Sequence, residues 1–348
     1  MFSSWFRKLL ILFVLVAAVI PPILVHAEED IFQSAASSTE FANSTTNDVG
    51  VDTTSSTLEI IVREPIPEPS IRVGIYKISA AVQVKSDFVY EIWSGSKSLG
   101  TINPGQVVTL SYKKGLYTVK TNDLEFSSKD YIRLVPTEPN SFFAIVNYSR
   151  SLAGRSKINF NVYRGVLEYR FSPKSGMPYI INELPLEQYM NGVAEVNDAA
   201  PTDFIKALAV AARSYAYALI SKTPPTEKHL FDVYATTVDQ LYLGYNSEKT
   251  MPNFVAAVTE TAGEFVTYKE NPVITFYFTR SNGKTKSGGA NRPWLKSVEA
   301  VYDKGKSQSG HGLGMSNQDA QARAKKDNWE YRQILEYYYS DTKVEKFY

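Results

Sequence analysis

Apolar and polar residues alternate with period two from about residue 70 to residue 171. Ile71, Val73 and Ile75 alternate with Arg72 and Gly74, Val82 and Val84 flank Gln83, and Ile158, Phe160 and Val162 alternate with Asn159 and Asn161. Such spacing puts each apolar set on one face of a pleated strand, so this half of the chain predicts half-buried β-strands. Lys113-Lys114-Gly115 between two alternating runs is a hairpin signal, and Arg164-Gly165 turns the chain into a further strand over 166–171. No helix pattern longer than two turns interrupts this stretch.

The period changes at Asn182. Residues 186–194 predict a short helix, and Pro201 opens a longer one with Thr202 and Asp203 in its first turn. Phe204, Leu208, Ala211, Tyr215 and Leu219 share one face of it, and Lys206, Val210, Arg213 and Tyr217 share the other. An alanine-rich helix with an arginine among apolar residues predicts a central element, packed on one side and facing a cleft on the other. Strand signals return across 254–285, in 264–268 and 273–278, and the chain closes on a predicted helix over 317–324 and a segment over 331–339. The pattern predicts an α+β fold, in which a β-rich region, 70–162, packs against a helix-containing core, 163–348.

The first 69 residues follow different rules. Arg7 and Lys8 precede an uncharged apolar run over 9–25, and Val25-His26-Ala27 stands before Glu28-Glu29-Asp30. This is the grammar of a secretory signal, 1–27, cut after Ala27. Pro21-Pro22 and the short run make a poor span, and the alternative is an uncleaved anchor. Residues 31–57 contain 12 Ser or Thr in 27 and no Lys or Arg, too little apolar surface to offset ordering entropy. Together with Pro65, Pro67 and Pro69 they make 28–69 a linker. The expected location is extracellular or in the cell envelope, with the membrane touched only through the N-terminal segment.

Composition narrows the chemistry. Lys plus Arg number 37 against 36 Asp plus Glu, a formal charge of +1, which argues against a nucleic-acid partner. There is no cysteine, which excludes thiolate nucleophiles, disulfides and Cys-ligated zinc. Of three histidines one lies in the leader, and His229 and His311 lack tight metal-site spacing, so no metal and no other cofactor is expected. No Gly-x-Ser-x-Gly elbow nominates a serine. The remaining acid–base candidate is Glu195, in Gly192-Val193-Ala194-Glu195-Val196. Among small and apolar neighbours a carboxyl gains proton affinity by desolvation, as a general acid needs; a helix-end glutamate reaching solvent is the other reading. Arg213 is read either as a structural ion-pair partner or as a cleft residue.

At these residues the chain resembles a known family. Tyr163-Arg164-Gly165-Val166-Leu167-Glu168 and the run from Asn182-Glu183-Leu184-Pro185-Leu186-Glu187 to Ala194-Glu195 resemble the SpoIID/LytB family of peptidoglycan-acting proteins. So do Ala207 to Ala216, Gln240-Leu241-Tyr242-Leu243-Gly244, Thr261-Ala262-Gly263, Ser281-Asn282-Gly283-Lys284-Thr285 and Gly310-His311-Gly312-Leu313-Gly314-Met315-Ser316. The resemblance implies a lytic transglycosylase that cuts between N-acetylmuramic acid and N-acetylglucosamine and leaves 1,6-anhydro ends, with Glu195 as the single acid and base. It also implies a glycan groove lined from Arg213, Gln240, Tyr242, Ser281, Gly283, His311 and Ser316, and peptidoglycan strands as the partner. The LytB side of the name implies an alternative, a non-catalytic modifier that stimulates a cell-wall amidase; amidase activity of the chain itself suits its poor His/Cys inventory badly. Val196 stands where the family commonly has Met, and Ser281-Asn282-Gly283 replaces its Ser-Gly-Gly.

Overall fold

The computed structural model describes residues 67–152, 157–220 and 229–348, all within one unit, Val51–Tyr348. The leader 1–27 and nearly all of the linker lie outside the described residues. Among the described residues no helix is long and apolar enough to cross a membrane.

The alternating half folds as its periodicity predicts. A seven-stranded sheet runs edge to edge through Val233–Tyr234, Ser70–Lys77, Met177–Pro185, Val166–Ser172, Ile132–Pro136, Tyr90–Ser94 and Lys97–Ile102. A six-stranded sheet runs through Val162–Arg164, Phe142–Ile145, Val82–Ser86, Val107–Lys113, Leu116–Lys120 and Glu125–Ser128. Ile71, Val73, Val82, Val84 and Leu110 are all buried in the core they share, because period two sends alternate side chains to one face. The hairpin at 113–116 turns on Lys114 and Gly115, with φ of 50° and 85°, as a two-residue turn in the left-handed region requires.

The expected border between a β-rich region and a core at 162/163 does not divide the sheets. It falls inside the strand Val162–Arg164, and Ser70–Lys77 pairs along its length with Met177–Pro185. Both halves of the chain build the same sheet, so 70–348 has no seam there. Ile158 and Phe160 alternate yet join no ladder; pairing covers only 162–164. Around 254, where the pattern predicts returning strands, two helices come first, Tyr245–Thr250 and Pro252–Glu260, the second opened by Pro252 at its N-terminus. Of the expected strand 273–278 only Tyr277–Phe278 forms a ladder, parallel to Met315–Ser316.

The long helix Thr202–Leu219 is the spine of the molecule. Ile205, Ala209, Ala212 and Ala216 pack into the core of the two sheets. Phe204, Leu208, Ala211 and Tyr215 pack into a second core with Val266, Phe276, Met315 and Tyr338. The expectation of an open cleft on one side is therefore corrected. A helix apolar nearly all round is buried nearly all round, and the space beside Arg213 is occupied by Pro252–Glu260 and the strand Glu264–Tyr268.

Candidate active site

Glu195 lies just past the short helix Leu186–Asn191. The turn that carries it is stitched to a second segment: Ala194 N–H donates to Leu241 O at 2.8 Å, and Leu243 N–H donates to Gly192 O at 2.8 Å. Gly192 is required for space. A Cβ there would stand 2.4 Å from the ring of Tyr242, which is stacked on Tyr189 with centroids 5.0 Å apart. This close approach brings the backbone N–H of Leu241 to Glu195 Oε1 at 3.0 Å.

The other carboxylate oxygen, Oε2, accepts a very short hydrogen bond from the Tyr277 hydroxyl. Behind it stands Gln240, whose Nε2 donates to Tyr277 Oη at 2.8 Å and to Ala212 O at 3.1 Å, and whose Oε1 accepts from Tyr189 Oη at 2.8 Å. A backbone carbonyl can only accept, so Ala212 fixes which end of the amide is NH₂. With its lone pair taken by Gln240, the Tyr277 hydroxyl has its one proton left for Glu195.

Burial raises the proton affinity of Glu195 most, and the two hydrogen bonds from Tyr277 and Leu241 oppose this by favouring the charged form. The nearby charge of Asp239 raises it further, and the net shift is upward. Asp239 is itself held by Tyr215 Oη at 3.0 Å and by Tyr234 N–H at 2.7 Å, and burial raises its pKa too. The hydroxyl of Tyr277 is pushed well above the usual phenol value by burial and by Glu195, so it stays a donor.

Apart from Gln240, which backs Tyr277, the residues predicted for the groove make no hydrogen bond to this carboxylate or to Tyr277. Arg213 is fully buried, with each of its five N–H donors engaged. Nε and Nη2 grip Glu187 at 2.8 and 2.9 Å, and the rest reach Thr261 Oγ1 and the carbonyls of Glu264 and Val258. It is the structural ion-pair partner rather than a groove residue. Tyr242 is buried too, its hydroxyl donating to Asn182 Oδ1 at 2.8 Å. Gln240 acts behind Tyr277, as described.

Ser281, Gly283 and Ser316 form a separate buried knot. Ser281 donates to Asp303 Oδ2 through its N–H at 3.0 Å and its hydroxyl at 3.1 Å, and Ser316 Oγ donates to the same oxygen at 2.5 Å. Gly283 N–H closes the turn onto Ser281 Oγ at 3.0 Å. The knot ties the Tyr277–Phe278 strand to Met315–Ser316 and so fixes the strand that presents Tyr277. His311 lies against Phe276 and Phe278, its Nδ1 accepting Leu313 N–H at 3.0 Å. Among the described residues no group of three or more metal-binding side chains comes together.

Sequence reasoning missed Tyr277, Asp239, Tyr189 and Asp303. A faint signal existed for Tyr277, a hydroxyl in an apolar run shortly before Ser281-Asn282-Gly283, and for Asp239, which directly precedes Gln240. Neither signal names a partner.

Residues 174–268, which contain Glu195, Tyr189, Arg213, Asp239 and Gln240, match the family described as SpoIID, stage II sporulation protein. The chain is 29% identical over 140 residues to stage II sporulation protein D of Bacillus subtilis (strain 168), covering 36% of this chain and 41% of that protein. It is 31% identical over 143 residues to stage II sporulation protein D of Bacillus amyloliquefaciens, with 36% of this chain and 41% of that protein covered. An uncharacterized protein of Brachyspira hyodysenteriae is 35% identical over 134 residues, 37% of this chain and 35% of its own length. The matched stretch thus spans about two-fifths or less of these relatives.

Proposed function

The chain belongs to the SpoIID family, and on that premise we propose that it is an exported lytic transglycosylase acting on peptidoglycan strands in the cell envelope. The observation that carries this reading is a single carboxyl, Glu195, with raised proton affinity and both oxygens fixed by donors. Protonated, it gives its proton to the glycosidic oxygen between N-acetylmuramic acid and N-acetylglucosamine, and the C1–O bond breaks. Ionised, it takes the proton of the muramoyl 6-hydroxyl, whose oxygen closes on C1. The product is a 1,6-anhydro end, no water is consumed, and Glu195 finishes protonated for the next cycle.

A two-carboxylate hydrolase needs its second acid free to activate water or to attack carbon. Asp239 faces the Tyr215 hydroxyl and the Tyr234 N–H and makes no hydrogen bond with Glu195 or Tyr277, so the scheme assigns both proton transfers to Glu195 alone. Mass spectrometry of muropeptides from purified walls treated with the protein tests the proposal. Anhydro-muramoyl ends are expected. New reducing ends would make it a hydrolase, and wall binding without products, together with faster cleavage by an added amidase, would make it an amidase enhancer.

Tyr277 is a positioning residue in this scheme, and Tyr277→Phe tests it. Loss of the hydroxyl removes a donor to the charged form, so Glu195 holds its proton to higher pH and the alkaline limb of the pH–rate profile moves up. Turnover falls by roughly ten- to a hundredfold, the worth of one hydrogen bond to a charged group. A limb that stays in place would show that the contact does not govern Glu195.

A further inference from the structure

We propose that Tyr234, backed by Phe231 and Tyr179, is a sugar-stacking subsite for the glycan strand beside the Glu195 carboxyl; the inference rests on the transglycosylase reading above. Six large apolar or aromatic side chains stand exposed among the described residues, and two of them, Tyr234 and Val238, lie on the one short loop that leads to Asp239, Gln240 and Leu241. Of the other four, Val107 and Leu116 lie on one hairpin and Val146 and Val301 elsewhere, none of them on a segment that bonds Glu195. Two on the loop that touches the catalytic carboxyl mark a place where something apolar on one side and polar on the other is received.

The ledge is built rather than loose. Phe231 lies over Gly74, where any Cβ would stand 2.6 Å from its ring. Phe231 in turn supports Tyr234 edge-on, with centroids 4.8 Å apart and planes at 82°, and Tyr179 at 5.1 Å. The backbone of this segment is pinned as an added parallel edge strand. Asp232 N–H donates to Arg72 O at 2.9 Å, Ala235 N–H donates to Gly74 O at 3.0 Å, and Arg72 N–H donates to Asp232 Oδ2 at 2.8 Å. Tyr234 is 41% exposed on this support.

Its continuity with the site is short. Tyr234 N–H bonds the Asp239 carboxylate, and just beyond Asp239 the N–H of Leu241 bonds Glu195. A pyranose ring suits such a ledge. Its axial C–H face packs on an aromatic ring, and its equatorial hydroxyls stay in water or reach the tyrosine hydroxyl, matching a side chain that is apolar in its body and polar at its tip.

The test uses the full exported chain carrying Glu195→Gln, which binds without cutting, and N-acetylglucosamine oligomers of increasing length as the probe. Tyr234→Ala added to this protein should weaken binding of the longer oligomers about tenfold, equivalent to ~1.4 kcal/mol. Tyr234→Phe, which keeps the ring and its packing on Phe231, should bind and melt as the parent does, and Tyr234→Ala should lower Tm by no more than the few degrees that loss of one aromatic pair costs. In the otherwise wild-type chain Tyr234→Ala should raise KM and leave kcat in place. Equal affinity of the Tyr234→Ala protein and its parent would overturn the subsite. Failure of the parent itself to bind any oligomer would overturn the subsite, while anhydro ends from treated walls would still uphold the reaction. A Tyr234 effect on binding in a protein that yields no anhydro ends would uphold the subsite and reject the reaction.

Discussion

Glu195→Gln lowers wall-cleaving turnover by at least ~10²–10⁴-fold, the usual contribution of general acid–base catalysis. The amide keeps the size of the carboxyl, and its carbonyl oxygen can still accept from Leu241 N–H or Tyr277 Oη. What it loses is the transferable proton, and in the proposed scheme one group carries both proton transfers, so both steps are slowed. Fold and glycan binding are expected to persist. In the wild type the same group sets the alkaline limit. Burial and Asp239 raise its folded-state pKa, so the active protonated form is present at low pH and disappears as pH rises through that raised value. Stability follows the same sign: the contribution of the protonated, buried carboxyl is complete below the ordinary glutamate value and is lost through the raised one. Above it, Glu195→Gln should melt no lower than the wild type. Turnover of the variant within a few-fold of wild type would remove Glu195 from its role.

Arg213→Met costs ~3–5 kcal/mol of stability, the range for breaking a buried ion pair from one side. Glu187 would lose its bidentate partner and be left with Gly263 N–H and the Tyr348 hydroxyl, while Thr261 and the carbonyls of Val258 and Glu264 would lose a donor. A drop in Tm of roughly 10 °C is expected. Arg213→Lys should recover little, because a single ammonium cannot reproduce a planar fork that meets two oxygens and three further acceptors. The pair also fastens the short helix that precedes Glu195 to the long helix, so loss of activity should track unfolding. A variant that melts like the wild type but has a raised KM would return Arg213 to the groove.

Much of the fold was legible because strand and helix periods are properties of near neighbours. The alternation of Ile71, Val73 and Ile75 required a strand buried on one face, whatever lay opposite. The Phe204 to Leu219 stripe required a helix with an apolar face. Glu195 was legible by its motif and by its small, apolar neighbours. The second burial face of the long helix was not, since Val210 and Ala211 are apolar whether they meet a cleft or a core. Arg213 illustrates the same limit. A buried arginine must have acceptors, yet its pairing with Glu187, 26 residues away, depends on how the two helices meet.

The sequence by itself determined most of the strands between 70 and 171 and the central helix, and it singled out Glu195 as the candidate carboxyl, because each rests on local spacing or local polarity. Only the tertiary structure decided what surrounds that carboxyl. Tyr277 is 82 residues from Glu195, and its hydroxyl reaches Oε2 while accepting from Gln240, whose amide is in turn anchored on the Ala212 carbonyl of the long helix. Which side chains meet across such separations follows from the packing of sheets on helices. A hydrogen bond constrains two positions in space and leaves no period along the chain to reveal its partner.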